Sequence, residues 1–269
     1  MIERIVGIDF SGAAAAGTAI WVAEAHFEDG RVCIERCLPA ADLPASHRDR
    51  DRCLPALVEY VGQMRRAIIG CDFPFSLPAA MIEAPSWRAF ALAFGECFPS
   101  ADAFLDDCRR RGGGREIRRA CDRESRVPFA AYNLRIYRQT YHGIRDFLAP
   151  LVRAGAAVVL PMEMSDGDRP WIIETCPAST LKHAGLYPSY KGAGAAARDA
   201  RRHIVRGVVR NGLLAPLSPS LRRLAIDNTG GDALDSMIAA AATGRAFLAG
   251  AFLQRVSDAH EHLEGRVYY

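Results

Sequence analysis

The chain has 269 residues and a mass of 29.3 kDa; half of it is hydrophobic, and 34 basic side chains against 31 acidic ones give a net charge of +3. A chain of that size and apolar content buries a substantial core, which excludes disorder as its main state. No run approaches the roughly 20 apolar residues that span a bilayer, and Met1-Ile2-Glu3-Arg4 enters a strand pattern at once, without a basic-then-apolar leader. The expectation is a cytoplasmic protein with no membrane partner.

Residues 2–10, 18–25 and 31–37 read as three strands of an antiparallel meander, with Ser11-Gly12 after the first and Glu28-Asp29-Gly30 between the second and third. The first strand ends Ile5-Val6-Gly7-Ile8-Asp9. A helical pattern at 51–66 leads to a continuous apolar strand at 67–72, of the kind buried on both faces, which ends in Asp72. That crossover makes the fold class α/β: a mixed sheet flanked by helices. From Pro85 to Gly155 the chain reads as a basic helical insert (85–155), broken at Pro99 and at Gly112-Gly113-Gly114. Its clearest helix is expected at 130–154, where Ile136, Tyr141, Ile144, Phe147, Leu148 and Leu151 form one stripe. Strands return at 156–161 and 170–175, the latter ending Trp171-Ile172-Ile173-Glu174, and helices follow at 177–185, 195–212 and 231–247. With no repeat and no linker, residues 1–269 read as one domain.

Three acids thus end separate apolar strands, and Asp232 and Asp235 open the Ala-rich last helix at i and i+3, on one face. Singly, each has an ordinary explanation. Asp9 and Asp72 can accept turn hydrogen bonds, and Asp232 stands at capping-box spacing from Thr229. Together they point to a metal, because carboxylates gathered within a few Å oppose one another's ionisation and a divalent cation relieves that repulsion. Hard oxygen donors from several segments suit Mg²⁺ or Mn²⁺, ions held by a few carboxylates, water and substrate phosphates. The expected ligands are Asp9, Asp72, Glu174, Asp232 and Asp235, and the expected chemistry involves phosphate. Cys176 beside Glu174 invites a thiol nucleophile, but a neighbouring acid raises a thiol's pKa, and Cys176-Pro177 reads more simply as a strand exit. The eight cysteines contain no C-x-x-C pair and read as free thiols.

The positive charge is local. Between Arg109 and Arg153 twelve arginines face four acids. Arg109, Arg110, Arg111, Arg115, Arg118 and Arg119 either track a phosphate backbone or form a solvated face, while Tyr137 and Tyr141 fit the apolar stripe and read as core. Arg198, Arg202, Arg206 and Arg210 repeat every four residues along one helix face, with Lys191 just upstream; phosphate positioning is the functional reading there. Under the functional reading of these patches the partner is nucleic acid, DNA or RNA.

Four segments carry a family resemblance: Gly7-Ile-Asp-Phe-Ser-Gly12, Gly70-Cys-Asp-Phe-Pro-Phe75, Glu174-Thr-Cys-Pro177 and Asp232-Ala-Leu-Asp-Ser-Met237. They resemble the domain-of-unknown-function-429 family, predicted nucleases with a ribonuclease H-like fold, similar to its Holliday-junction-resolvase branch. The resemblance runs from Ile5 to Gly265, apart from the helical insert. It implies a five-stranded mixed sheet, a meander followed by parallel strands, and a two-metal site whose catalytic acids are Asp9, Asp72, Glu174 and Asp235. In that scheme Asp9 bridges both Mg²⁺ or Mn²⁺ ions, Asp72 and Glu174 compete for the second-strand acid, and Asp235 matches the last-helix acid better than Asp232. Two ions about 3.5–4 Å apart would activate a water and stabilise the leaving 3′ oxygen in phosphodiester hydrolysis. The alternatives are a nucleotide-binding phosphotransferase of the actin-like or sugar-kinase type and a non-catalytic nucleic-acid-binding module with the same fold.

Overall fold

The computed structural model describes residues 2–164, 168–252 and 259–269. The β-branched runs form strands where turn residues bound them. β1 (Arg4–Asp9), β2 (Trp21–Glu28) and β3 (Arg31–Pro39) make the expected antiparallel meander. The β2–β3 turn places Asp29 and Gly30 at φ of 48° and 73°, the paired positive values that a tight hairpin needs. The short α1 (Ala16–Ala19) lies between β1 and β2; after β3, α2 (Arg50–Gly62) carries the chain over to β4 (Ala67–Asp72), which pairs parallel with β1 from Arg4↔Ala67 to Asp9↔Asp72.

The 85–155 segment forms α3 (Trp87–Cys97), α4 (Ala101–Arg111), α5 (Ala120–Glu124), α6 (Tyr137–His142), a π-helical stretch over Gly143–Leu148, and α7 (Ala149–Arg153). The helix expected from residue 130 therefore starts at Tyr137. The reason is local: the Asn133 side chain accepts from the Arg135 amide at 2.9 Å, a turn that competes with helix hydrogen bonding. β5 (Val158–Val159) and β6 (Trp171–Thr175) follow, then α8 (Pro177–His183), α9 (Ala195–Arg210), α10 (Pro219–Asp227), α11 (Asp232–Leu248), α12 (Ala259–Glu264) and β7 (Val267–Tyr268).

The sheet order is β3-β2-β1-β4-β6-β5, with β7 also paired to β6. The α/β class and the mixed sheet are as expected, but the sheet has seven strands rather than five. Against the five strands that the resemblance implies, the two-residue β5 and β7 are additional, and both lie parallel along the outer edge of β6. The strand expected at 156–161 is only Val158–Val159, and β7 is not among the strands expected.

Alternation along each strand divides the core between the two sheet faces. Val6, Ile8, Ile69, Cys71 and Ile172 face a cluster that includes Leu57 of α2 and Phe94, Phe104, Tyr141 and Phe147. The helical insert is therefore a wall of this core rather than an appendage, and Tyr137 and Tyr141 are core residues as expected. Ile5, Ala25, Ile68 and Ile173 face Met237 and Ile238 of α11 and Ile204 and Val208 of α9. Among the described residues no helix is long and apolar enough to cross a membrane, and all eight cysteines are free.

One contact sets the position of α11. Gly7 and Gly70 are register partners on β1 and β4. A Cβ on Gly7 would overlap the Ser236 carbonyl and the Ala240 amide, and one on Gly70 would overlap the Thr243 hydroxyl. The helix backbone thus rests on a two-glycine shelf. Gly7→Ala is expected to push α11 off the sheet and cost more than about 2 kcal/mol, read as a lower denaturant midpoint at unchanged m-value. An unchanged midpoint would show that the shelf is not needed.

Candidate metal centre

Asp9 and Asp72 lie side by side at the ends of adjacent parallel strands. The period of two puts each on the same face as its glycine, Gly7 or Gly70, which is the face α11 covers. Seating α11 on that shelf brings Asp235, in its first turn, to the same end of the sheet. Asp9 and Asp235 are 7% and 2% exposed. Asp232 is half-buried; the N-cap of α11 is Gly231 rather than Thr229, and the Ala233 amide donates to Asn228 Oδ1 at 3.4 Å, so the Thr229–Asp232 capping box does not form.

These carboxylates resist ionisation. Burial, then repulsion from Asp235 and Asp72, raises the Asp9 pKa well above the usual carboxylate range. Asp72 keeps some solvent contact at its rim, but burial of its carboxylate and repulsion from Asp235 push it up to about 8. Burial also raises Asp235, against the pull of Lys191 and a hydrogen bond from Tyr190. Lys191 Nζ stands 2.8 Å from Asp235 Oδ2, and Tyr190 Oη donates to Asp235 Oδ1 at 2.7 Å. Burial works against the Lys191 ammonium, yet Asp235, Asp9 and Asp72 carry its pKa above the ordinary lysine value. The buried Arg201 fixes this segment, donating to the Tyr190 and Gly192 carbonyls at 2.6 and 2.9 Å.

The acids floor a cleft of about 470 Å³ whose walls include Phe129, Arg135 and Gln139 of the insert and the exposed Tyr187. Gln139 donates to the Asp72 carbonyl, and the Arg135 guanidinium lies over the Phe129 ring at 5.3 Å. Thr175 is buried at the same cleft, and its hydroxyl oxygen has no hydrogen-bond partner.

Glu174 is placed differently. Its register partner is Cys71, not Asp72, so it points to the opposite face of the sheet, and Thr175 is the residue beside Asp72. Both its oxygens are engaged: Arg119 Nη2 donates to Oε1, and Arg119 Nη1 and the Phe75 amide donate to Oε2 at 2.7 and 2.9 Å. Glu174 borders the cleft as an ion-paired support rather than an open carboxylate. Cys176 is also inert, because burial, then Asp72, pushes its thiol up to about 12.

Arg119 corrects the expectation of a phosphate-tracking cluster. It is fully buried, binding Asp122, Glu174 and the Glu264 carbonyl. A guanidinium already saturated in the core is unavailable to a nucleic acid. Arg110 pairs with Asp107, Arg111 with Asp107 and Glu83, and Arg118 donates to the Val127 and Pro128 carbonyls. Arg109 and Arg115 are exposed. Arg198 pairs with Asp227 and Arg202 with Asp199 beside a groove between α9 and α10. Of these candidate cations, only Lys191 contacts an aspartate of the cleft. Tyr190, Gln139, Thr175 and Arg201 had no signature in the sequence beyond nearness to the acids or Lys191.

No protein-family model, curated protein or solved structure matches this chain. Among the described residues, His26, Glu28 and Cys33 form the one group of three donors mutually within 4.8 Å. The aspartates of the cleft do not gather into such a group among the described residues.

Proposed function

We propose that this chain is a ribonuclease H-like, divalent-metal-dependent nuclease that hydrolyses phosphodiester bonds at Asp9, Asp72 and Asp235, with Asp232 at the rim. One observation carries the reading: acids from two adjacent strand ends and one helix converge, desolvated and mutually repelling, on one cleft. The meander continued by parallel strands agrees with that fold. The all-oxygen donor set and the unpartnered Thr175 hydroxyl suit Mg²⁺ or Mn²⁺ with its water shell. When bound, two such ions would activate a water and stabilise the leaving oxygen.

The chain's own residues then have separable tasks. Asp72 takes the second-strand role, because Glu174 is held by Arg119 on the other face. Lys191, its side chain 57% exposed, is placed to hold a phosphate oxygen once a cation neutralises Asp235. Phe129 and Tyr187 offer ring faces to a base beside the scissile phosphate.

The experiment is a single-turnover assay over labelled single-stranded, duplex, hybrid and junction nucleic acids with Mg²⁺ or Mn²⁺. Product from at least one class, abolished by chelator, is expected; no product from any class sinks the reading. Because Lys191 already neutralises Asp235, a second reading is a nucleic-acid-binding module that needs no metal. Tight binding in chelator together with no turnover would mark it.

A further inference from the structure

We propose that the β2–β3 hairpin carries a separate metal site, for a borderline-soft divalent cation of the Zn²⁺ class, formed by His26, Glu28 and Cys33 with Glu35 as the fourth donor. His26 and Cys33 are directly opposed across the hairpin, and Glu28 follows two residues along β2 on the same face. The His26 ring nitrogen, the Cys33 sulfur and a Glu28 oxygen lie within 4.8 Å of one another. Donors about 2.0–2.3 Å from a tetrahedral zinc sit roughly 3.3–3.8 Å apart, so small side-chain rotations close the set.

Polar residues on the open face of a hairpin are ordinary, but two features here are not. First, the register slips between Glu24 and Ala25: Glu24 opposes Arg36 and Ala25 opposes Ile34, which leaves Glu35 as an unpaired bulge residue. A bulge re-aims a side chain, and here Glu35 Oε1 comes to 3.0 Å from His26 Nδ1. Second, His26 Nδ1 is shielded from solvent and, despite its approach to Glu35, makes no hydrogen bond. A shielded ring nitrogen without a hydrogen bond, on a histidine grouped with a thiol and two carboxylates, is what a cation would satisfy.

The donor chemistry separates this site from the carboxylate cleft. Thiolate and imidazole select Zn²⁺-like ions over Mg²⁺, whereas the aspartates do the reverse. The sites are also apart in space. β2 runs antiparallel to β1 with Trp21 opposite Asp9, so His26 lies five residues, about 16 Å, towards the other end of the sheet. Side-chain exposures of 38% for His26 and 59% for Glu35 leave an entry path. Binding would release the Cys33 thiol proton to solvent and leave the metal's oxidation state unchanged.

The test loads the full chain with Zn²⁺ in excess Mg²⁺ and counts bound zinc, then repeats the loading with Co²⁺ as a spectroscopic probe. Expected are one tightly held Zn²⁺ per chain and a tetrahedral Co²⁺ spectrum with a thiolate-to-metal band. The band should vanish in Cys33→Ser, and zinc affinity should fall at least about tenfold in both Cys33→Ser and His26→Ala. Asp9→Asn should leave the zinc count and the band unchanged, so the outcome is independent of the nuclease reading. Absence of the thiolate band, or undiminished zinc affinity in Cys33→Ser with an unaltered circular dichroism spectrum, would overturn the proposal.

Discussion

Asp9→Asn is expected to abolish metal-dependent cleavage and, in the same protein, to raise the melting temperature of the metal-free chain. Asp9 is buried at the end of β1, and burial followed by Asp235 and Asp72 raises its pKa far above the unfolded value of 3.8. For an acid the sign is unambiguous: a folded pKa above the unfolded one means that ionisation opposes folding. The stability of the metal-free chain is therefore greatest when the group is protonated, and it falls as pH rises from the unfolded towards the folded pKa. Asparagine keeps the shape and removes the charge. The gain should be several degrees, since about 1 kcal/mol moves the melting temperature of a chain this size by about 2–4 °C. Asp72 supplies the pH window. Between about pH 4 and 8 the wild type should lose stability relative to Asp72→Asn as pH rises, because the Asp72 pKa is about 8. Added Mn²⁺ should stabilise the wild type at neutral pH and leave Asp9→Asn nearly unmoved, by mass action on the folded state. The cleavage rate should drop at least about a thousandfold, or about 4 kcal/mol of barrier. Lost activity with gained stability marks a functional site that strains its fold. A variant that cleaves at the wild-type rate would remove Asp9 from the site, and one that melts lower would refute the electrostatic account.

The floor of the cleft was legible because its signals are local. β1, β4 and β6 announce themselves as apolar runs closed by turn residues, and Asp9 and Asp72 needed only their place at a strand end. Asp235 needed only its spacing in an Ala-rich helix. Glu174 had the same local appearance as Asp72, and the difference lies in the pairing of β4 with β6. A one-residue stagger between strands about a hundred positions apart decides which face a side chain takes, and no local pattern encodes it. Arg119 fails for a related reason. In sequence it is one of six arginines in an eleven-residue stretch, and only the fold brings Glu174 and the Glu264 carbonyl to it. α10, absent from the helices expected, does carry a local signal: Ser218 accepts from the Leu221 amide and Pro219 occupies the first turn, an ordinary helix start. The two-residue β7 carried no periodicity to read.

Arg119→Met is the substitution expected to do most harm to the fold. The guanidinium is fully buried and joins three distant parts of the chain: Asp122 in α5, Glu174 at the end of β6, and the Glu264 carbonyl at the end of α12. Methionine fills much of the volume but leaves two buried carboxylates without a countercharge, and breaking a buried pair in this way costs about 3–5 kcal/mol. At about 2–4 °C per kcal/mol that corresponds to a fall of roughly 6–20 °C in melting temperature. A lysine cannot replace the planar fork that meets both Glu174 oxygens, so Arg119→Lys should recover only part of the loss. Glu174 tests the mechanism further. Burial already raises its pKa against the pull of Arg119. Without that guanidinium the carboxyl should protonate more readily, so the deficit of Arg119→Met should shrink as pH falls. Glu174→Gln placed in the Arg119→Met background should restore stability, although the same change alone should cost it. A phosphate-tracking arginine behaves otherwise: its loss leaves the melting temperature alone and lowers the salt slope of nucleic-acid binding by about one. That second pattern would mean that the buried network contributes little, and that Arg119 leaves it to meet a nucleic acid.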